Sequence, residues 1–287
     1  MIKRTLIYFL VFFALYNAAL YVWKPGITTA QSQNQGNIIG AENYIYNGQG
    51  KDIVMVGTSL TFRIKQDYLP DNYYNLAFGG YSIYDGLEII KRSGNIPKIV
   101  LIESNTIIRP GNVGFINSLF TPGLSWIKKM LPGMWTPNQP ENLLMNELQH
   151  LTAKNKPVAA TTTAPPDTAL HNKALKGYQN EYNRVPGLDT VDMRIEALKT
   201  YTEYLKGLGV QVIFFEMPVD CSLENSPRLR YLRKKLGFEF PPAAYPRIPM
   251  PDCSKYIYND GEHFSAPSAI DYSHYLVREV DSVLSLH

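Results

Sequence analysis

Residues 53–60 read Ile-Val-Met-Val-Gly-Thr-Ser-Leu, and residues 98–103 read Lys-Ile-Val-Leu-Ile-Glu. The apolar parts of both, Ile53 to Val56 and the KIVLIE run, are short and rich in β-branched residues, the pattern of a strand buried on both faces. Working outward, Tyr74 to Phe78 is another such run, closed by Gly79-Gly80, and Val210 to Phe215 (VQVIFF) is the most apolar of all. Helical spacing lies between them. Leu87, Ile90 and Lys91 mark a helix over Tyr84 to Ser93, stopped by Gly94 and Pro97. Ile195, Leu198, Leu205 and Leu208 share a helical face ahead of Gly209. Ser265 as N-cap, Pro267 just inside and the stripe Tyr272, Leu276, Val280 and Val283 predict a final helix. Strands separated by helices predict an α/β fold with a mostly parallel sheet covered on both faces.

The chain has 287 residues, 45% hydrophobic, 12% aromatic and 18% charged, which excludes disordered and collagen-like classes and is enough to bury a core without disulfide help. Its 28 basic and 25 acidic residues leave a net charge of +3. Basic residues are scattered except for Arg228, Arg230, Arg233, Lys234 and Lys235, which read as the solvated face of a helix, so no nucleic-acid partner is expected.

After Lys3 and Arg4 an apolar run extends from Leu6 to Trp23, interrupted only by Asn17. Its 18 residues cover roughly 27 Å as a helix, close to the hydrocarbon core of a bilayer and longer than the apolar stretch of a cleaved signal. An uncleaved anchor over residues 1–24, with a cytoplasmic N-terminus, is the preferred reading; cleavage near Thr28-Thr29-Ala30 is the alternative. Either way the rest of the chain is exported. Residues 25–50, rich in Gln, Asn, Gly and Thr, read as a linker to a domain over 51–287. Cys221 and Cys253 fit an oxidising compartment, as one disulfide or as two buried thiols, and no metal-binding spacing is present. From about residue 106 to 190 the pattern degrades into an insertion. Glu141 to Lys154 could be a helix, and Pro157 to Thr168 is a low-complexity Ala/Thr/Pro stretch. Such an insertion is a substrate lid or an edge decoration.

In an open parallel sheet, reactive groups belong on loops at the carboxyl ends of strands. The first loop delivers Ser59 at a sharp exit permitted by Gly57, where the amides of a following helix could face a developing oxyanion, although a serine here could equally cap that helix. The second ends in Gly79-Gly80, whose N–H groups can approach a ligand closely. The third delivers Asn105, an amide donor or a turn residue. A serine nucleophile needs a base. His263 stands just before the final helix with Asp260 three residues earlier to orient it. Asp271 and His274 repeat that spacing inside the helix, where a solvated face is the ordinary outcome; His150, His171 and His287 compete weakly.

Together these four positions resemble the SGNH, or GDSL-like, hydrolase superfamily: VMVGTSL with Ser59, NLAFGG with Gly80, LIESNT with Asn105 and DGEH with Asp260 and His263. The match is carried by scattered blocks over residues 52–287. The resemblance implies a three-layer α/β/α, flavodoxin-like sandwich. It also implies a catalytic set of Ser59, His263 and Asp260, an oxyanion hole of Ser59, Gly80 and Asn105, and no cofactor or metal. Gly-Thr-Ser and Glu-Ser-Asn-Thr depart from the superfamily's usual Gly-Asp-Ser and Gly-x-Asn-Asp, which points away from its secreted lipases and simple esterases. A membrane anchor ahead of an extracytoplasmic domain is similar to the envelope O-acyltransferases. The expected partners are then a cell-surface glycan and an acyl donor, for which a membrane acyltransferase partner is one source. A carbohydrate acetylesterase or deacylase, and a non-catalytic glycan-binding component of an envelope assembly, are the alternatives.

Overall fold

The computed structural model describes residues 1–25, 30–155 and 168–285. In chain order its helices and strands are α1 (Ile2–Trp23), α2 (Gln33–Asn47), β1 (Ile53–Val56), β2 (Tyr73–Asn75), α3 (Ile83–Ser93), β3 (Ile99–Glu103), α4 (Val113–Leu119), α5 (Leu124–Met130), α6 (Pro140–Asn155), α7 (Thr168–Tyr182), α8 (Leu188–Gly207), β4 (Gln211–Phe215), α9 (Cys221–Glu224), α10 (Pro227–Glu239) and α11 (Ala266–Ser285). The chain forms two compact units. One joins Met1–Gln49 to Val113–Ala159, and the other joins Gly50–Asn112 to Ala160–His287. Thr28 and Thr29 of the alternative cleavage site, the stretch 157–167, the side chain of His150, and His287 lie outside the described residues.

The larger unit is an α/β body around a four-stranded, all-parallel sheet of order β2-β1-β3-β4. Side chains alternate between its two faces. Ile53, Met55, Ile99, Leu101, Ile213 and Phe215 share one face and pack with Ala269, Tyr272, Leu276 and Val280 of α11. Val56 lies on the opposite face, under α3: a Cβ on Gly86 would stand 2.8 Å from Val56 Cγ1, so only glycine allows α3 to come this close. Phe214, on that same face, packs on Phe240 at the end of α10 with ring centroids 5.2 Å apart. Helices therefore cover both faces, as the buried β-branched runs require. The connection from β1 goes to β2 on one side and that from β3 goes to β4 on the other, which opens a crevice at the carboxyl ends of β1 and β3.

Two sequence expectations shift here. The second strand ends at Asn75 rather than Phe78: the Leu76 amide makes a last bond to the Met55 carbonyl, Asn75 turns its side chain onto the preceding loop, and Leu76, Ala77 and Phe78 stay buried. The basic run lies on α10 but is largely paired. Arg233 makes a two-pronged ion pair with Glu216, Arg228 meets Glu181, and Lys235 meets Asp192 and Glu239. Cys221 and Cys253 are joined in a disulfide.

The smaller unit is helical. α1 is long and apolar enough to cross a membrane. The stretch read as a linker carries α2, capped by Ser32, whose side chain accepts from the Gln35 amide. Its polar sequence hides a buried face that includes Asn37 and Glu42. Glu42 is satisfied by an ion pair with Lys128 and a hydrogen bond from the Thr136 amide. α6 covers the helix expected over 141–154. The insertion thus divides, its first half joining the N-terminal helices and its second half joining the sheet.

Candidate active site

Ser59 follows β1 at a turn that only glycine can open. A Cβ on Gly57 would lie 2.5 Å from Thr61 Oγ1 and 2.7 Å from Glu103 Oε2, inside any tolerable contact. The chain after Ser59 forms a 3₁₀ turn, Thr61–Arg63, rather than the α-helix expected from sequence, so the amides that follow Ser59 do not come from a helix N-terminus. The turn is held instead by Glu103, fully buried at the end of β3. Glu103 Oε2 accepts from the Thr58 amide at 2.8 Å and from Thr61 Oγ1 at 2.7 Å, and Oε1 accepts from Thr58 Oγ1 at 2.7 Å. Asn75, from β2, donates to the carbonyls of Thr61 and Ile64 and fixes the far side of the same turn.

His263 Nε2 lies 2.9 Å from Ser59 Oγ, across 204 residues of sequence, and His263 Nδ1 lies 2.8 Å from Asp260 Oδ2. With Asp260 accepting from Nδ1–H, Nε2 is left to accept the Ser59 proton. Asp260 Oδ1 accepts in turn from the amides of Glu262 and His263. Burial alone would raise the Asp260 pKa; the hydrogen bonds from the His263 ring and the two amides outweigh it and hold the group at about 2. Asp260 is therefore a carboxylate at any physiological pH.

The expected oxyanion donors are placed unevenly. Gly80 has φ 78°, a conformation natural to glycine, and neither its amide nor that of Ser59 is taken by a hydrogen bond among the described residues. Asn105 is 1% exposed, and its carboxamide is engaged: Nδ2 donates to Met217 O at 2.8 Å and Oδ1 accepts from Met217 N at 2.7 Å. It ties the exit of β3 to the exit of β4. These two bonds leave one Nδ2 hydrogen uncommitted. Asp271 and His274 are exposed on α11, and His171 meets the carbonyl of Asn259 at 3.2 Å, beside the Asp260 loop.

The base carries a shell that sequence reasoning missed. Tyr178 of α7 meets the His263 ring edge-on, with centroids 6.5 Å apart. Tyr182, one turn on, donates to Glu262 Oε1, and Leu175 closes over Gly261, where a Cβ would stand 2.6 Å from Leu175 Cδ1. Burial raises the Glu262 pKa against the hydrogen bonds from Tyr182 and Tyr178 that pull it down. A lone acid closing the apolar run KIVLIE was the available signal for Glu103. Nothing in the sequence joins α7 to Glu262.

Comparison with known protein families, characterised proteins and solved structures finds no match to this chain. The site therefore rests on its own chemistry. A hydroxyl, an imidazole and a carboxylate in hydrogen-bonded series, beside uncommitted backbone amides at a strand-end crevice, can transfer an acyl group through a covalent serine ester.

Proposed function

We propose that the chain is a membrane-anchored serine O-acyltransferase, of the acetyl type, that modifies a cell-surface polysaccharide outside the cytoplasm through an acyl-serine intermediate. The observation that carries this reading is the continuous relay from Ser59 Oγ through His263 to Asp260, at 2.9 Å and 2.8 Å. In this reading His263 Nε2 takes the Ser59 proton as Oγ attacks the donor carbonyl. Asp260 stabilises the imidazolium, and the oxyanion is received by the Ser59 and Gly80 amides and the remaining Nδ2 hydrogen of Asn105. Collapse expels the donor's leaving group, which takes the proton from His263. A sugar hydroxyl then surrenders its proton to His263 and attacks the acyl carbon, and Ser59 departs with that proton. Water in the acceptor's place would give hydrolysis by the same steps.

An SGNH-like, three-layer fold is the reading that best accommodates this site. The sheet order brings the Ser59 and Asn105 blocks to adjacent strand ends, and the two departures from the usual blocks compensate one another. Thr58, standing where an Asp is common, bonds Glu103, standing where a Gly is common. The glycan acceptor and the outward-facing placement rest on the pairing of an apolar N-terminal helix with a serine acyl-transfer site.

Mass spectrometry of the full-length protein after exposure to an activated acetyl ester tests the nucleophile. Acetylation at Ser59, lost in His263→Ala, is expected; an unmodified Ser59 in folded protein removes the enzyme reading in favour of a binding module. Adding candidate oligosaccharides then separates the reactions. Acetylated sugar is the transferase outcome, and free acetate across every acceptor makes the chain an esterase.

A further inference from the structure

α5, Leu-Ser-Trp-Ile-Lys-Lys-Met, leaves its large apolar side chains outside the body of the smaller unit. Leu124 is 37% exposed, Trp126 65%, Ile127 39% and Met130 52%. A stable soluble domain does not need four such residues in seven on its surface. Where α5 sits relative to α1 supplies the reason. Tyr21 of α1 donates to the carbonyl of Met130, the last residue of α5, at 2.6 Å. The chain that follows α5 grips α1 deeper still: Asn17 Oδ1 accepts from the Gly133 amide at 2.8 Å, and Tyr16 donates to Asn138 O. Along the helix axis Tyr21 is about 3 Å and Tyr16 about 10 Å short of Trp23, the end of the apolar run, so the Met130 contact falls near the edge of the hydrocarbon core and the chain after it follows α1 inward.

We propose that α5 lies in the interfacial zone of the membrane that α1 crosses, with Leu124, Trp126, Ile127 and Met130 against lipid. The inference rests on the reading of α1 as an anchor. If Leu6 to Trp23 spans, Tyr21 lies where α1 emerges, the segment bonded to Asn17 and Tyr16 reaches into the outer edge of the bilayer, and α5, bonded at Tyr21 through Met130, cannot stand far from the bilayer surface. Composition agrees. A Trp with aliphatic neighbours, flanked by the exposed Lys129, is the pairing of ring and cation that headgroup regions favour. Lys128 turns the other way, into its ion pair with Glu42, and Trp135 donates to the Lys128 carbonyl. The inner side of α5 is thereby fixed to protein and its outer side is left apolar. Irregular backbone at residues 131–139 is tolerated at this depth because its polar groups are bonded to α1 and to one another.

The test uses the full-length chain in phospholipid nanodiscs whose lipids carry bromine either high or low on the acyl chains. Trp126 is exposed, so Trp126→Phe leaves the fold intact, which circular dichroism checks. The expected result is strong quenching of tryptophan emission by the high-bromine lipids, a clear loss of quenched amplitude in Trp126→Phe, and protection of that component from aqueous iodide. Identical quenching of the wild type and the variant overturns the inference, as does a Trp126 component open to iodide. A component shielded from both quenchers also overturns it and assigns the face to a protein partner or a second copy. Alkaline carbonate extraction of membranes carrying the chain separates this from the anchor reading. Release into the supernatant overturns both, whereas retention without Trp126 quenching overturns this inference alone.

Discussion

The nucleophile of the candidate site is held by a fully buried glutamate and the base by a half-buried one, and the two work under opposite conditions. Glu103 ends a strand and receives short hydrogen bonds on both oxygens from the turn it supports. Glu262 lies inside the loop it supports, and tyrosines from α7 satisfy it, with burial still raising its pKa. The nucleophile side is therefore built into the sheet, where it forms with the core. The base side depends on a helix supplied by the insertion between β3 and β4. Ser59 is placed by the sheet itself, and the His263 loop by contacts from α7.

The largest effect is expected where the two sides meet. Asp260→Asn places an amide against His263 Nδ1, which drives the ring to the tautomer with its proton on Nε2 and removes the acceptor Ser59 needs. Acyl transfer should fall about 10⁴-fold with little change in fold. The same substitution reports on acid stability. With a folded pKa near 2, below the ordinary ~3.9, Asp260 contributes about 2 kcal/mol that is present above roughly pH 4 and lost as pH falls toward 2. Denaturant titrations between pH 5 and 2 should show that loss in the wild type and a flatter profile in Asp260→Asn. Equal slopes would mean the carboxylate is not held as described.

Next comes the nucleophile side. Glu103→Ala strips acceptors from the Thr58 amide and from two buried hydroxyls, and each orphaned donor costs about 1–3 kcal/mol. We expect a loss of at least about 3 kcal/mol in denaturant unfolding, together with turnover reduced about 10²-fold or more as Ser59 shifts. Glu103→Gln keeps one oxygen for the amide, and the Thr58 hydroxyl can rotate to accept from the new NH₂. It should lose only about 1 kcal/mol. Equal losses in the two variants would show that shape, rather than hydrogen bonding, holds the turn. Asn105→Ala follows. It breaks both bonds to Met217, for about 1–3 kcal/mol, and removes one oxyanion donor, for about 10²–10³ in turnover. Full turnover in folded Asn105→Ala would make Asn105 a clamp alone.

The contrast between the two sides also explains what the sequence disclosed. β1, β3 and β4 were legible because a strand buried on both faces reads as a continuous apolar run, as Ile53 to Val56, Ile99 to Ile102 and Val212 to Phe215 do. The pairing of His263 with Asp260 was legible because it is local, three residues apart. The pairing of His263 with Ser59, 204 residues away, was expected only from the need of a serine for a base and from the resemblance of the four blocks. α2 was not legible, since its buried face mixes Ile39, Ala41 and Tyr44 with Asn37 and with Glu42, which Lys128 satisfies, and so breaks the apolar stripe. Nor was the division of the insertion: the contacts of Tyr178 and Tyr182 with His263 and Glu262 span 80 or more residues and carry no periodicity. Apolar packing writes itself into the sequence as a repeat; polar satisfaction between distant residues does not.

The smallest effect measures how tightly the base side is specified. Because burial raises Glu262 above its ordinary pKa, the folded state holds its proton more tightly than the unfolded chain, so folding stability falls as pH rises from the ordinary glutamate range through the raised value. Glu262→Gln keeps the oxygen that accepts from Tyr182 and cannot ionise. Its unfolding free energy should decline less steeply with pH over that window, so that the variant equals or exceeds the wild type at neutral pH. Turnover should change less than tenfold, since Asp260 and His263 keep their own bonds and the Glu262 amide still donates to Asp260. Tyr182→Phe provides the complement. It removes the donor and leaves the half-buried carboxyl less satisfied, so the pH slope should steepen. If Glu262→Gln instead abolishes turnover at every pH while the protein stays folded, Glu262 acts on the reacting groups themselves, and the base side is as tightly specified as the nucleophile side.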